Sequence, residues 1–141
     1  MNVFGMLETS GAALGVERFR AQVAAANMAN AESTRTEEGG PYRRKQVVVG
    51  TNGAPTFRSA MDEVSESQVR VLEVRDDESA PVLRYDPSHP DASKEGYVAY
   101  PNINPVVEMA DLLGATRAYQ LNIAAVNAAK QMAQQSLEIL R

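Results

Sequence analysis

The sequence predicts an α+β chain in which long N- and C-terminal helices form an antiparallel coiled coil and a small β-rich insert lies between them. Three observations predict it. An apolar seam with alternating three- and four-residue steps runs from 109 to 140. The segment 12–31 is rich in alanine and carries a weaker version of the same spacing. Between the two, the composition changes. The charges of the first stretch (Glu8, Glu17, Arg18, Arg20) cancel, as do those of the last (Glu108, Asp111, Arg117, Lys130, Glu138, Arg141). The whole net charge of -4 therefore falls in the middle, together with every proline except Pro105. The boundaries this implies are 1–34 for the N-terminal helix, 35–104 for the insert and 105–141 for the C-terminal helix.

In the first helix Ala12, Val16, Phe19, Val23 and Ala26 mark the seam, and Asn30 falls four residues later. Ser10 is a candidate N-cap, and Gly11 and Gly15 weaken the first turns. The insert reads as short strands and turns. Residues 42–49 are basic and then β-branched, with turn signals on both sides, at Gly39-Gly40-Pro41 and from Gly50 to Gly53. Residues 68–74 alternate around Val69, Val71 and Val74, as a half-buried strand does. Residues 82–85 and 97–100 are two further strands, joined by the turn-rich 86–96. Residues 54–66 show no period and read as loop.

The last helix has the strongest pattern. Its seam runs Met109, Leu112, Thr116, Tyr119, Ile123, Val126, Lys130, Ala133, Leu137, Leu140. Asn104 is a candidate cap and Pro105 suits a first helical position. Glu108 and Asp111 near the start and Arg141 at the end match the helix dipole. At 1.5 Å per residue such a helix is roughly 50 Å long, too long for a small core, so it needs partners along its length.

Composition removes several classes of function. The chain has 141 residues, about one domain's worth. No cysteine and a single histidine leave no thiolate chemistry and no histidine cluster for zinc. With 14 Lys+Arg against 18 Asp+Glu, a nucleic-acid backbone is not the expected partner. No apolar run is long enough to span a bilayer, and 1–15 lacks the basic and apolar blocks of a cleaved signal. The protein is expected to be cytosolic, or to leave the cytosol without a cleaved peptide.

Few side chains suggest chemistry. Ser88, His89, Asp86 and Asp91 are triad residue types, but neighbours in one turn do not converge as a nucleophile, base and orienter must. His89 therefore reads as a solvated or packing residue. Asp76-Asp77-Glu78 lacks the spacing and glycine of a calcium loop and reads as a solvated turn. Arg43-Arg44-Lys45 reads as an edge-strand guard or ion-pair partner. No catalytic residue, metal or cofactor is expected. Asn27 and Asn30 at the end of the first helix, and Asn122 and Asn127 beside the second seam, are amides on an apolar stem. They suit either register-fixing hydrogen bonds or, for Asn30, a helix end in the left-handed conformation.

Certain runs of residues resemble a known family. AANMANAEST (25–34) resembles the Asn-x-Ala-Asn motif of bacterial flagellar rod and hook proteins. GGPYRRKQVVV (39–49) is similar to the PYRxK strand of the proximal-rod type, FlgC. Residues 85–132, with the DPxHP turn, GYV, PN-x-N, ATRAYQ and the N-x-x-K of Asn127 to Lys130, are similar to the same type almost throughout. The resemblance implies a non-enzymatic, structural subunit of the flagella basal body rod protein family. It implies a rod within the periplasm that carries torque from motor to hook and filament, and a chain exported by the flagellar type III apparatus without a cleaved signal. The implied partners are copies of itself and rod subunits of the FlgB, FlgF and FliE types. The implied packing residues between subunits are Val16, Phe19, Val23, Asn27, Asn30, Met109, Leu112, Tyr119, Ile123, Val126, Asn127, Leu137 and Leu140. Alternatives are another axial subunit such as FlgB, a cytosolic coiled-coil adaptor, or a secretion chaperone.

Overall fold

The computed structural model describes residues 3–51 and 69–139. The loop expected at 54–66 and the last seam residue, Leu140, lie outside these residues. In chain order the elements are α1 (Val3–Ala29), β1 (Lys45–Thr51), β2 (Val69–Asp76), β3 (Val82–Tyr85), β4 (Tyr97–Tyr100) and α2 (Pro105–Ile139). Among the described residues this is an α+β arrangement of two long packed helices and two small antiparallel sheets.

α1 begins seven residues before Ser10, so the expected cap at Ser10 is corrected: that residue lies inside the helix. Gly11 and Gly15 sit in the helix with open space around them. Each costs about 1 kcal/mol relative to alanine, which packing against α2 outweighs. α2 starts as expected. Asn104 Oδ1 accepts from Val106 N at 3.0 Å, and the Asn104 carbonyl accepts from Val107 N and Glu108 N. Pro105, which has no N–H, stands where none is needed.

The helices run antiparallel, since Asn27 near the end of α1 touches Glu108 near the start of α2. Their shared face is made of small residues: Val16, Ala24, Ala115 and Ala129 are all buried. Small side chains let the two backbones approach closely. The expected seam is therefore only half right. Leu112, Tyr119, Val126 and Ala133 are half-buried. The alternate positions shift by one residue, so that Glu108, Ala115 and Ala129 are buried where Met109, Thr116 and Lys130 were expected. Met109 is 51% exposed and Ile123 39%. Counting apolar residues favoured the larger side chains, whereas the close approach of the helices selects the smaller ones. On α1, Val16 is buried and Phe19 and Val23 are half-buried, but Ala26 is exposed and Ala24 takes the inward place.

Leu137 is 68% exposed for a different reason. With Asn27 opposite Glu108, Val3 falls level with the region of Met132. The last turns of α2 therefore extend past the start of α1.

β1 pairs with β2, with a register shift between Val48 and Val49 that leaves Leu72 as the extra residue, lying over Gly50. β1 starts at Lys45 rather than Tyr42: Tyr42 N donates to Ser33 O at 3.0 Å instead of to a neighbouring strand. It also continues through Gly50 to Thr51. Val69 and Val71 are half-buried, but Val74, expected inward, is exposed. This sheet packs on α1. β3 and β4 form a separate ribbon, with Val82 opposite Tyr100 and Tyr85 opposite Tyr97. Its inner side is anchored by the buried Val98, while Leu83, Tyr85 and Tyr97 are exposed on the other. Between these strands 86–96 turns back on itself, with Asp86 N donating to Gly96 O and Ser93 N to Tyr97 O.

Candidate functional site

Three elements meet at a buried polar cluster. Asn27, in the last turns of α1, is 1% exposed. Its Oδ1 accepts from Lys45 N at 2.9 Å and from the Tyr42 hydroxyl at 3.2 Å. Its Nδ2 donates to Lys45 O and to Glu108 Oε2, both at 2.9 Å. A side-chain amide offers two acceptor sites and two donors, and here all four are used. Lys45 pairs with Asp76 in the sheet. Its own N–H and C=O face the helix instead, and the amide of Asn27 meets them as the peptide of a third strand would. The start of β1 is thus tied to α1 by one side chain.

Glu108, in the first turn of α2, is equally buried. One carboxylate oxygen takes Asn27, and the other accepts from Arg44 Nε at 2.6 Å. Arg44 also reaches Asp111 Oδ2 at 3.5 Å, one helical turn further on. A buried carboxylate is costly unless paired and hydrogen-bonded, and here the guanidinium and the amide do both. The position at the start of a helix favours the negative charge further. Burial, and then the negative charges of Asp76 and Glu108, push the Tyr42 hydroxyl above its ordinary range. It therefore stays a neutral donor to Asn27. Among the described residues no buried side-chain nitrogen or oxygen lacks a partner.

Asn30 does something else. Its Nδ2 donates to Ala26 O at 2.9 Å and its Oδ1 accepts from Ser33 Oγ at 3.1 Å. Both bonds are local and close the helix end. No non-glycine residue among those described has a positive φ, so the left-handed reading is corrected. Asn122 likewise bonds back to Ala118 O, and Asn127 is exposed. Of the basic triplet, Arg44 is the ion-pair partner, while Arg43 is exposed.

The sequence pointed to Asn27 and to Arg44 without joining them. It missed Tyr42, and read Glu108 only as a dipole charge. The sequence carried no signal for Glu108, because the expected seam passes through Met109 and Thr116 rather than 108 and 115.

Between the helices an open groove of about 390 Å³ is lined by Glu17, Arg18, Ala21, Gln22 and Ala25 of α1 and Ala115, Thr116 and Tyr119 of α2. Along another side of α2, Val106, Met109 and Leu113 follow in steps of three and four, all exposed. Asp77 folds back on Ser79 N and Oγ, as a turn residue does. His89 is half-buried, and its ring meets Tyr100 edge-on with centroids 6.2 Å apart.

Comparison with known proteins gives the chain's family. Residues 94–139, covering β4 and α2, match the family described as flagellar basal body rod FlgEFG protein C-terminal. The chain is 39% identical to the flagellar basal-body rod protein FlgC of Bacillus subtilis, covering 99% of both. It is 35% identical to the protein of that name from Borreliella burgdorferi, covering 100% of this chain and 99% of the relative. It is also 35% identical to that of Escherichia coli O6:H1, covering 99% and 98%. Such identity over whole chains places this chain in the family of flagellar basal-body rod proteins FlgC.

Proposed function

We propose that this chain is a structural subunit of the flagellar basal-body rod, in its proximal section, and that it works mechanically rather than by turnover. The observation that carries the reading is the exposed line Val106, Met109 and Leu113 on α2. Three large apolar side chains on one side of a helix, with the intramolecular contact on another, call for cover by a neighbouring molecule. The groove walled by Ala21, Ala25 and Ala115 suits side chains of that size. In this reading the two helices form the antiparallel coiled-coil stem of the subunit, and the stems of successive copies pack together. Met109, Ile123, Leu137 and Leu140 then belong to contacts between subunits. The partners are copies of this chain and rod subunits of the FlgB, FlgF and FliE types. The chain reaches the periplasmic rod through the flagellar type III export apparatus, without a cleaved signal.

The clasp of Asn27, Glu108 and Arg44 gives torque a path. Stem helices that meet through alanines can slide on one another, but a fully bonded amide fixes one register and ties β1 to both helices. Rotation of the stem therefore carries the insert with it. Leu113→Asp tests the assembly surface. The exposed position keeps the free subunit folded and exported, while rods and motility are lost. Normal swimming with Leu113→Asp would overturn the reading. A cytosolic adaptor or chaperone role would instead leave the variant protein inside the cell.

A further inference from the structure

The loop 86–96 is held to the exit of α1 by a second polar contact. Asp91 Oδ2 accepts from Thr34 Oγ1 at 2.8 Å, and Asp91 Oδ1 faces Arg35 at 3.8 Å. What seats Asp91 is the chain's single histidine: Asp91 N donates to His89 Nδ1 at 3.1 Å. A ring nitrogen that accepts carries no proton, so the proton of the neutral imidazole is on Nε2. When the ring takes a second proton, Nδ1 becomes a donor and faces the donor N–H of Asp91. That bond cannot survive in place.

The surroundings decide where the charged ring goes. From its own loop the carboxylate of Asp86 attracts it. From β4 the ring of Tyr100 packs on it, with the Arg84 guanidinium of β3 lying 4.8 Å from the Tyr100 ring centre. From the exit of α1, Arg35 competes for Asp91. The Asp86 carboxylate already accepts from Ser88 N and Oγ at 3.1 and 2.6 Å. A charged imidazole therefore withdraws its support from the Asp91 amide, and Asp91 is left to its contacts with Thr34 and Arg35.

We propose that His89 is a proton-operated latch: with Nδ1 free of a proton it pins the Asp91 amide and so fastens the loop to the exit of α1, and doubly protonated it releases both. Imidazoles as a class change charge between about pH 5 and 8, which sets the range to scan. The latch would tune how firmly the β3–β4 ribbon is held to the stem.

The test follows amide protection in the full-length chain between about pH 5.5 and 8, corrected for intrinsic exchange and compared with the His89 ring proton signals. Protection of the Asp91 amide is expected to fall about tenfold as the ring becomes charged. The Thr34 and Arg35 amides should shift with the same midpoint. His89→Asn places an acceptor near the Nδ1 position without a titrating proton, and should hold the loop closed at every pH in the range. His89→Ala should leave it open throughout. Flat Asp91 protection in the parent while the ring titrates would overturn the proposal. So would an unchanged transition in His89→Asn.

Discussion

Asn27 Nδ2 donates to Glu108 Oε2 at 2.9 Å, joining residues 81 positions apart, and each of the two is 1% exposed. Elsewhere the fully buried residues of the two helices are Val16, Ala24, Ala115 and Ala129. Such residues supply close packing but discriminate poorly between registers, because one small apolar side chain fits much like another. The amide and the carboxylate fit in one place only.

The first prediction contrasts two asparagines three residues apart. Asn27→Leu strands the N–H and C=O of Lys45, the Tyr42 hydroxyl and one oxygen of Glu108. At roughly 1–3 kcal/mol for each unsatisfied group, the loss should reach at least about 3 kcal/mol after relaxation. Asn30→Leu removes two local bonds at a partly exposed helix end, and should cost about 1 kcal/mol or less. Urea unfolding of the two purified variants at neutral pH measures both. Equal losses would show that the clasp does not set the register.

Acid should act through two turn carboxylates. Hydrogen bonds from the Ser88 side chain, and then the Ser88 backbone, hold Asp86 below its ordinary value of 3.8. Asp77 is lowered in the same way by the Ser79 side chain and then its backbone. A lowered folded-state value means that the charged form favours the fold. The contribution is complete above the ordinary value and is lost as pH falls through the lower folded one. The pair Asp77→Asn and Asp86→Asn should therefore lose stability less steeply than the parent below about pH 4. Thermal melts across that range decide it, and parallel curves would count against these turns as acid-sensitive points.

Most elements were legible in the sequence because they are locally determined. Asn104-Pro105 marks the start of α2 by cap and ring geometry, and β3 and β4 fall at 82–85 and 97–100, on either side of the turn-rich 86–96. The clasp was not legible, because its parts are spread over 81 residues and each has an ordinary local reading. Asn27 passes as a polar interruption, Arg44 as one of three bases, and Glu108 as a dipole charge. The inward register of α2 was missed for a related reason. Hydrophobicity ranks Met109 and Ile123 above Ala115 and Ala129, but the distance between the helix backbones selects by volume. That distance belongs to the pair of helices and not to either sequence.

Two glycine substitutions should move stability in opposite directions. Gly96 has φ +82, and an added Cβ would stand 2.8 Å from Tyr85 Cε2 and 3.3 Å from Pro87 Cβ. Gly96→Ala therefore combines backbone strain with a clash against a ring, and should cost about 1–3 kcal/mol. Gly11 lies within α1 with nothing within 4 Å of an added Cβ. Gly11→Ala should stabilise by about 0.5–1 kcal/mol through helix propensity. Thermal melts of both variants against the parent test the pair, and a destabilised Gly11→Ala would mean that this part of α1 is not helical in solution.

The last prediction concerns the free subunit and follows from the unequal lengths of the two helices. α1 has 27 residues and α2 has 35. With Asn27 level with Glu108, the contact with α1 ends near Met132, and among the described residues the turns beyond it, Leu137 among them, have no helix beside them. Propensity alone stabilises a short run of helix only marginally. Amide exchange in a dilute monomer should therefore be graded along α2. Peptides spanning 108–129, where Glu108, Ala115 and Ala129 are buried, should be protected at least about a hundredfold more than 134–139. If stems pack as proposed, assembly should remove the gradient. Uniform protection along α2 in the monomer would show that its last turns are supported within the chain. Uniformly fast exchange would show that the helices pair only when a second subunit is present.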